Sequence, residues 1–284
     1  MNGDRFEKAA VLGLGIIGSR ACARLATAGW NVACWNRTPK GLPGEVESPE
    51  LAVEGAAVIS IYLKDSPAVR EVVGKIAGRL KPDQIVLNHS TLDLETTKWI
   101  EETCRSKGCR FLDAPFTGSK VAAANGQLVY YIGGDESLAS SVAPFLSATG
   151  KSTLYCGPVG AATVVKLATN LISACTVQAM AESLAIATGH GVPAECLMKA
   201  VSENVSSSVL TTMKFPLMVA GDYETHFSLS NMGKDSRYML SLAGAAGVEL
   251  PAIEAVSARM AELCDAGLGD LDFSALAKPY LQPS

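Results

Sequence analysis

The sequence predicts a two-domain α/β protein in which a mostly parallel, doubly wound sheet is followed by an all-α domain. Short apolar runs alternate with amphipathic stretches over the first half, which is the pattern of βαβ units. This alternation stops at Gly157-Pro158, and only helical periodicity follows. A chain of 284 residues with 48% apolar and 18% charged residues can bury two cores. We therefore predict domains at 1–159 and 160–284, joined by a long helix.

The elements of the first domain follow from its apolar runs and from the turn residues between them. Strands are predicted at Ala9–Leu12, Asn31–Trp35, Ala57–Tyr62, Gln84–Asn88, Arg110–Ala114, Leu128–Gly133 and Ser152–Cys156. Helices between them are predicted at Ser19–Ala28, Pro67–Arg79 and Leu94–Lys107. Glycine and proline interrupt the pattern at Gly29, Pro39–Gly44, Pro82, Gly108 and Gly133-Gly134.

The second domain is predicted to consist of helices. A long apolar helix runs from about Ala161 to Thr188, because Gly189 and Gly191 follow it and Pro193 lies beyond. Further helices are predicted from Ala194, at Val209–Val219, at Met232–Ala246 and from Pro251 to Ala266.

The long helix could be mistaken for a membrane span, but polar residues interrupt it. Its apolar stretch, Leu167–Ala187, contains Asn170, Gln178 and Glu182, which favours a buried helix of a soluble protein. The eight cysteines form no C-x-x-C pair and lie scattered in apolar runs, as is usual in a reducing compartment. We therefore expect a cytoplasmic protein with no membrane partner.

Charge and histidine spacing argue against two further classes of partner. The net charge of −4 comes without a clustered positive face, so we expect no nucleic-acid partner. The three histidines lie far apart and lack the spacing of metal ligands, so we expect no metal site.

A glycine-rich turn follows the first predicted strand. Ala9 to Gly18 reads AAVLGLGIIG, a strand and then G-x-G-x-x-G at the start of a helix. Gly13 permits the tight turn, Gly15 lets the backbone approach a pyrophosphate, and Gly18 permits close packing of helix on strand. The helix N-terminus offers free N–H groups to the phosphates. This context predicts a Rossmann dinucleotide-binding domain. We also assign Leu14, Ile16, Ile17 and Leu63 to the cofactor site.

The residues after the second strand favour NADP(H) over NAD(H). That strand ends in Asn36-Arg37-Thr38, where NAD-selective sites usually carry Asp or Glu for the ribose 2′-hydroxyl. Asn36 removes a carboxylate that would repel a 2′-phosphate, Arg37 offers a planar fork for phosphate, and Thr38 adds a hydroxyl donor.

A lysine and an asparagine lie one helical turn apart at the start of the long helix. Lys166 and Asn170 share one helix face and could reach the same substrate oxygen. On spacing alone, Lys166 could equally form an interhelical salt bridge or extend its ammonium to solvent near the domain boundary. Three other segments bear on this choice: NHST at Asn88–Thr91, DAPFTGS at Asp113–Ser119 and FSLSNMGKD at Phe227–Asp235.

Together these motifs resemble those of the β-hydroxyacid dehydrogenase family, the relatives of 3-hydroxyisobutyrate, tartronate semialdehyde and 6-phosphogluconate dehydrogenases. The resemblance covers essentially the whole chain: GLGIIG, STLDLET from Ser90, DAPFTGS, G-x-x-x-x-x-K-L-x-x-N ending at Asn170, and Lys234-Asp235. The NRT turn and the TGSK stretch are most similar to the glyoxylate and succinic semialdehyde reductase branch.

The resemblance implies a role for each motif residue. Lys166 would be the catalytic residue and Asn170 would orient the substrate oxygen. The remaining roles are substrate-carboxylate binding by Ser90, Thr117 and Gly118, cofactor contact by Thr91 and Lys234, and pocket walls at Phe227 and Asp235. Thr117 departs from the usual serine and Phe116 from the usual valine, which leaves the size of the substrate open.

The expected activity is NADPH-dependent reduction of a small aldehyde acid to its hydroxy acid, with Lys166 as general acid. The alternatives are a 3-hydroxyisobutyrate or tartronate semialdehyde dehydrogenase, an imine reductase, which typically lacks the catalytic lysine, and a noncatalytic NADPH-binding module. A 6-phosphogluconate dehydrogenase is disfavoured because the helical half is short. We also expect a homodimer or homotetramer, and the long apolar helix does not decide between the two.

Overall fold

A computed structural model describes residues 8–281 of the chain. The chain divides into two compact units between Lys166 and Leu167, inside the long helix, whereas the sequence placed the domain boundary before that helix. The first turn of the helix is hydrogen-bonded to the first unit through Thr163, which is why the division falls later.

The first unit is an eight-stranded sheet flanked by helices. Its strands are β1 Lys8–Leu12, β2 Asn31–Trp35, β3 Val58–Ile61, β4 Ile85–Asn88, β5 Arg110–Asp113, β6 Phe116–Thr117, β7 Leu128–Gly134 and β8 Gly150–Gly157. Its helices are α1 Gly18–Thr27, α2 Pro49–Val53, α3 Ser66–Ile76, α4 Leu94–Ser106, α5 Lys120–Ala124, α6 Glu136–Ser141 and α7 Ala143–Leu146. The predicted strands are all present, and β6 is an addition to them.

The strand order is β2-β1-β3-β4-β5-β7-β6, with β8 paired to β7. Strands β1 to β5 are mutually parallel, whereas β7 runs antiparallel to β5 and β6. The pairs Leu12↔Ile61, Ile61↔Asn88 and Asn88↔Asp113 bring the carboxyl ends of β1, β3, β4 and β5 to one edge of the sheet. Ligands of open α/β sheets bind at this kind of edge, near the point where the strand order reverses.

Alternate side chains of the central strands fill separate cores on the two faces of the sheet. Ala9 and Val11 of β1 belong to one core, and Ala10 and Leu12 belong to the other. A sheet buried on both faces reads as a continuous apolar run, which is why the sequence showed its strands clearly. The predicted doubly wound α/β class is confirmed.

The second unit is helical. Its helices are α8 Ala161–Gly189, which begins in the first unit, α9 Ala194–Ser202, α10 Val209–Ala220, α11 Leu229–Ala246, α12 Pro251–Leu263 and α13 Lys278–Leu281. A π-helical turn at Cys264–Leu268 continues α12, and a 3₁₀ helix covers Phe273–Ala277. Helix α11 begins earlier than predicted because Ser228 caps it, accepting a hydrogen bond from the backbone N–H of Asn231.

Helix α8 supplies much of the core of the second unit. Among residues 8–281 it is the one helix long and apolar enough to cross a membrane, judged by length and composition alone. Leu167, Val177 and Leu184 of this helix are fully buried within the apolar core of the second unit. Ile172 and Ile186, by contrast, are 65% and 67% exposed. These facts describe a core helix with an additional apolar face at the surface.

Candidate active site

The three motif glycines occupy three different environments at the carboxyl end of β1. A side chain at Gly13, whose φ is +99°, would overlap the backbone carbonyl of Tyr62, and one at Gly18 would overlap the carbonyl of Gly13. A Cβ on Gly15 would meet nothing within 4 Å. The fold itself therefore requires Gly13 and Gly18, while Gly15 faces open space at the N-terminus of α1, as a pyrophosphate cradle requires.

Asn36 braces this loop against the end of β2. Its Oδ1 accepts a hydrogen bond from the backbone N–H of Leu14 at 2.9 Å, and its Nδ2 donates to the carbonyl of Thr38 at 2.7 Å. Both ends of the amide are thus engaged within the protein. The side chain that replaces the acidic residue of NAD-selective sites holds the loop in place here.

Arg37 is the exposed cation beside this loop. Its side chain is 68% exposed and forms an ion pair at 2.9 Å with Glu71 on α3. Lys75 pairs with the other carboxylate oxygen of Glu71 at 2.8 Å. The bond and charge of Lys75, followed by the charge of Arg37, lower the pKa of Glu71 below its usual value. A 2′-phosphate at Arg37 would therefore meet a guanidinium already held by an ionised carboxylate.

The predicted substrate segments reach the same edge of the sheet. Ser90 is buried, and its Oγ accepts a hydrogen bond at 2.8 Å from the backbone N–H of Leu63, which joins the ends of β3 and β4. Thr117 and Gly118 are exposed at the start of the loop that leads into α5. Ser90 thus has a structural bond in addition to the predicted role, and Thr117 is a surface residue.

Phe116 belongs to an aromatic cluster rather than standing alone. Its ring centroid lies 6.1 Å from that of Tyr62 and 6.3 Å from that of Tyr130. The hydroxyls of Tyr62 and Tyr130 are 3.0 Å apart. The half-buried Phe116 therefore packs against these two tyrosines, whereas Thr117, the next residue, is exposed.

His89 is a buried residue with hydrogen bonds at both ring nitrogens, and the sequence did not single it out as functional. Its Nδ1 lies 2.7 Å from the carbonyl oxygen of Ala114, and its Nε2 lies 3.0 Å from Oγ of Ser60. A carbonyl can only accept, so Nδ1 carries the proton and Nε2 accepts from the Ser60 hydroxyl. Burial lowers the pKa of His89 to about 4, and the bond to Ala114 opposes this only in part. The imidazole is thus a neutral brace between β3, β4 and the segment after β5.

In the second unit, three predicted site residues form one contact chain. Nδ2 of Asn170, on α8, donates a hydrogen bond at 2.7 Å to Oδ2 of Asp235, on α11. Oδ1 of the fully buried Asp235 lies 2.9 Å from Nζ of Lys234. Asp235 therefore orients the Asn170 amide. Lys166 lies one turn before Asn170 on the same helix and is half-buried.

Phe227 is placed by a different set of contacts. Its backbone N–H donates to Oδ2 of Asp272 at 3.1 Å, and its ring meets that of Phe273 edge-on, with centroids 6.1 Å apart. The backbone hydrogen bond and the ring contact together fix the position of this half-buried residue. Thr91 is half-buried on the loop after β4.

A glycine loop of this geometry, between the first strand of a doubly wound sheet and a helix, defines a dinucleotide-binding domain. Residues 8–157 match the family model described as the NAD binding domain of 6-phosphogluconate dehydrogenase. Residues 160–280 match the one described as NAD-binding of NADP-dependent 3-hydroxyisobutyrate dehydrogenase. The chain belongs to the β-hydroxyacid dehydrogenase family, so it is an NAD(P)-dependent enzyme of that family.

Named relatives agree with this assignment. Glyoxylate/succinic semialdehyde reductase 1 of Arabidopsis thaliana is 31% identical, over 93% of this chain and 95% of that protein. The chloroplastic reductase 2 of the same plant is 32% identical, over 93% of this chain and 77% of that protein. The solved 3-hydroxyisobutyrate dehydrogenase of Mycobacterium tuberculosis, with L-serine, has a TM-score of 0.89 and 25% identity, covering 98% of this chain and 100% of that one.

Proposed function

We propose that this protein reduces a small aldehyde acid, of the glyoxylate or succinic semialdehyde type, to its hydroxy acid with NADPH. The observation that carries the proposal is the Asn170 amide, fixed by a buried carboxylate one turn from Lys166 on the same helix. Such a pair suits a carbonyl oxygen that gains negative charge during reduction.

Lys166 and Asn170 would act on that oxygen together. The cofactor would supply a hydride to the aldehyde carbon. The Lys166 ammonium would stabilise the charge that builds on the oxygen, and would then deliver its proton there. One N–H of the Asn170 amide is bonded to Asp235, which leaves the second N–H as a donor to the same oxygen. Solvent would then reprotonate the lysine amine.

The substrate carboxylate would bind at the edge of the sheet. The Thr117 hydroxyl and the exposed backbone of Gly118 offer donors there, and Ser90 lies at the end of the neighbouring strand β4. Hydroxyl and backbone N–H donors suit a carboxylate held at a fixed distance. Thr91 and Lys234 would contact the cofactor, and Phe227 would bound the pocket.

The preference for NADPH would rest on Arg37. The loss of one bidentate phosphate contact typically costs about 1.5–3 kcal/mol. Arg37→Ala should therefore raise the Michaelis constant for NADPH at least about tenfold and leave that for NADH nearly unchanged. Equal catalytic efficiency of the unaltered protein with both cofactors would contradict the preference.

A second candidate is the oxidation of 3-hydroxyisobutyrate, with the neutral Lys166 amine as base. It is favoured by the family model that matches residues 160–280. Assays with NADPH on glyoxylate, succinic semialdehyde, tartronate semialdehyde and methylmalonate semialdehyde would separate the candidates. If none of these consumed NADPH, the noncatalytic binding module would become the better reading.

Lys166→Ala tests the mechanism. Removal of a positioned general acid typically lowers the rate by about 10²–10⁴-fold, and cofactor affinity should not change. Lys166→Arg keeps the charge but gives up its proton poorly, so its activity should lie much nearer to that of the alanine variant. An alanine variant that kept more than about a tenth of the turnover would make Lys166 a structural residue.

The exposed apolar face of α8 supports assembly with a second copy of the chain. Ile172 and Ile186 are 65% and 67% exposed on one helix. A contiguous exposed apolar patch marks an interface, and positions 172 and 186 lie nearly four helical turns apart on the same face of α8. Sedimentation of the unaltered protein and of an Ile172→Asp, Ile186→Asp variant would test this, since only the former should sediment as an oligomer.

A further inference from the structure

Asp113 is a fully buried acidic residue to which the reaction above gives no role. It ends β5, and its Oδ2 accepts two hydrogen bonds from Thr163, one from the backbone N–H at 2.8 Å and one from the hydroxyl at 2.9 Å. One carboxylate from the sheet thus receives two donors from the first turn of α8.

These donors belong to the part of a helix that lacks partners of its own. The first N–H groups of any helix have no intrahelical acceptor, and the N–H of Thr163 lies in the first turn of α8. A carboxylate is the favoured partner there because the helix dipole places partial positive charge at the N-terminus. Asp113 therefore caps α8 from another element, fifty residues earlier in the chain.

The same carboxylate stands between two segments of the proposed site. Lys166 follows Thr163 by three residues, which is about 4.5 Å along the helix axis. In the other direction, the chain runs from Asp113, the last residue of β5, through Ala114 and Pro115 to β6, which ends at Thr117. The start of the catalytic helix and the start of the carboxylate-binding segment are therefore tied together at one side chain.

We propose that Asp113 is a positioning residue, which fixes the first turn of α8 and with it the Lys166 ammonium relative to the strand that leads to Thr117. The proposal rests on the proposed function of Lys166. The chemistry that matters is the acceptor oxygen: an asparagine Oδ1 could receive the same donors, whereas an alanine could not.

The cost of this arrangement is visible at the other carboxylate oxygen. Oδ1 of Asp113 is buried and has no hydrogen-bond partner within the described residues 8–281. Burial raises the pKa of Asp113 to about 6, in spite of the bonds from Thr163. A group that is retained in spite of such a penalty requires a compensating role, and the cap on α8 supplies one.

Three variants of the full-length protein, Asp113→Ala, Asp113→Asn and Thr163→Val, separate positioning from packing. Misplacement of a catalytic group by about 1 Å can cost about 10²-fold in rate, so Asp113→Ala should lower kcat by about 10- to 100-fold. Asp113→Asn should stay within about threefold of the unaltered protein, because a neutral hydrogen bond replaces a charged one. Thr163→Val keeps the backbone donor and should fall between the two. NADPH affinity, measured by fluorescence, should change less than about twofold in all three, because the glycine loop is untouched.

Thr97→Val is the matched control. It removes the 3.0 Å contact between the Thr97 and Thr163 hydroxyls and leaves both bonds to Asp113 in place, so kcat should not change. Equal kcat values for the alanine and asparagine variants, or an alanine variant within about threefold of the unaltered protein, would overturn the proposal. If the alanine variant fails to fold, an unchanged kcat in Thr163→Val would overturn it as well.

Hydrogen exchange gives a readout that does not depend on the reaction. The Thr163 amide should be protected in the unaltered protein and in Asp113→Asn, and should exchange much faster in Asp113→Ala. If the protein reduced no aldehyde acid, this pattern would still report the cap, so failure of the proposed function can be told apart. Equal protection in all variants would show that Asp113 does not hold the helix.

Discussion

The buried ion pair between Lys214 and Asp272 should dominate the stability of the helical unit. Nζ of Lys214 lies 2.6 Å from Oδ1 of Asp272, and the two side chains are 4% and 0% exposed. Asp272 also accepts two hydrogen bonds from Ser274, from its backbone N–H and its hydroxyl, and one each from the backbone N–H groups of His226 and Phe227. The carboxylate thus has hydrogen-bond donors besides Lys214, whereas the ion pair of the Lys214 ammonium is with Asp272.

Removal of one partner of a buried pair typically costs about 3–5 kcal/mol. Lys214→Met should lie at the low end, about 3 kcal/mol, because the carboxylate keeps its other donors and the methionine fills the space of the lysine stem. Asp272→Ala should cost more, since it leaves a buried ammonium and several unpaired donors at about 1–3 kcal/mol each. That sum approaches the total stability of a typical domain, about 5–15 kcal/mol. The alanine variant should therefore unfold the helical unit.

The chain offers separate probes for its two units. Its three tryptophans, Trp30, Trp35 and Trp99, all lie in the first unit, so tryptophan fluorescence follows that unit. Far-UV circular dichroism follows the helices of both units, so a dichroism transition that occurs apart from the fluorescence transition reports the second unit. In urea, Lys214→Met should lower the free energy of unfolding of the dichroism transition by about 3 kcal/mol and leave the fluorescence transition in place.

The pH dependence of this difference has a defined sign. Burial alone would raise the pKa of Asp272, but the bond and charge of Lys214, together with the backbone N–H groups of Ser274 and Phe227, hold the pKa below its usual value. The stabilisation is therefore present above the ordinary aspartate pKa of about 4 and is lost as the pH falls through the lower native value. The difference in free energy of unfolding between the unaltered protein and Lys214→Met should therefore begin to narrow below about pH 4 and close once the pH is below the native pKa of Asp272.

Glu262→Gln is the matched control for this experiment. It breaks an ion pair with Arg259 on the same unit, but the Glu262 side chain is 64% exposed, so the loss should stay below about 1 kcal/mol. A Lys214→Met variant that loses no more than this control, or one that is less stable than Asp272→Ala, would refute the reasoning.

Three further predictions concern the first unit. Glu71→Gln should free Arg37 and lower the Michaelis constant for NADPH by about two- to fivefold without changing that for NADH; weaker NADPH binding would contradict this. Gly15→Ala should have the melting midpoint of the unaltered protein but bind NADPH poorly. Gly18→Ala should lower the melting midpoint, because its Cβ would overlap a backbone carbonyl. Equal melting midpoints of the two variants would contradict this. In ¹⁵N spectra at pH 7, His89 should be neutral with its proton on Nδ1, and a charged ring or the Nε2–H tautomer would be inconsistent with its contacts.

The sequence predicted most of the first unit because its buried strands are continuous apolar runs between glycine and proline turns. It missed β6, since Phe116 and Thr117 are too short a run to carry a period of two and form a strand only by pairing with Tyr130 and Val129. It also missed α2, whose start depends on a local cap at Ser48, because five residues are too few for a helical pattern.

The site divides in the same way between local and distant information. The glycine loop was predicted because the three glycines lie within a few residues of one another. They permit the tight turn, the approach of the backbone to a pyrophosphate and the packing of the helix on the strand. The roles of His89 and Asp113 depend on partners far along the chain: Ser60 for the histidine and Thr163 for the aspartate. Nothing in the spacing of either motif encodes those contacts. Only the fold brings the partners together.

Three buried carboxylates form contacts of this long-range kind with segments of the proposed site. Within residues 8–281, Asp113, Asp235 and Asp272 are the fully buried acidic residues. Each holds a different segment: the first turn of α8, the Asn170 amide and the backbone of Phe227. Well-packed apolar residues of similar volume often give a protein as much stability as a buried ion pair does. Each carboxylate accepts donors that a methyl group would leave unpaired, and at least one donor to each lies on, or within one turn of, a residue of the proposed site. Substitutions at these three positions should therefore change turnover and stability to different extents, with asparagine preserving more of the first than alanine does.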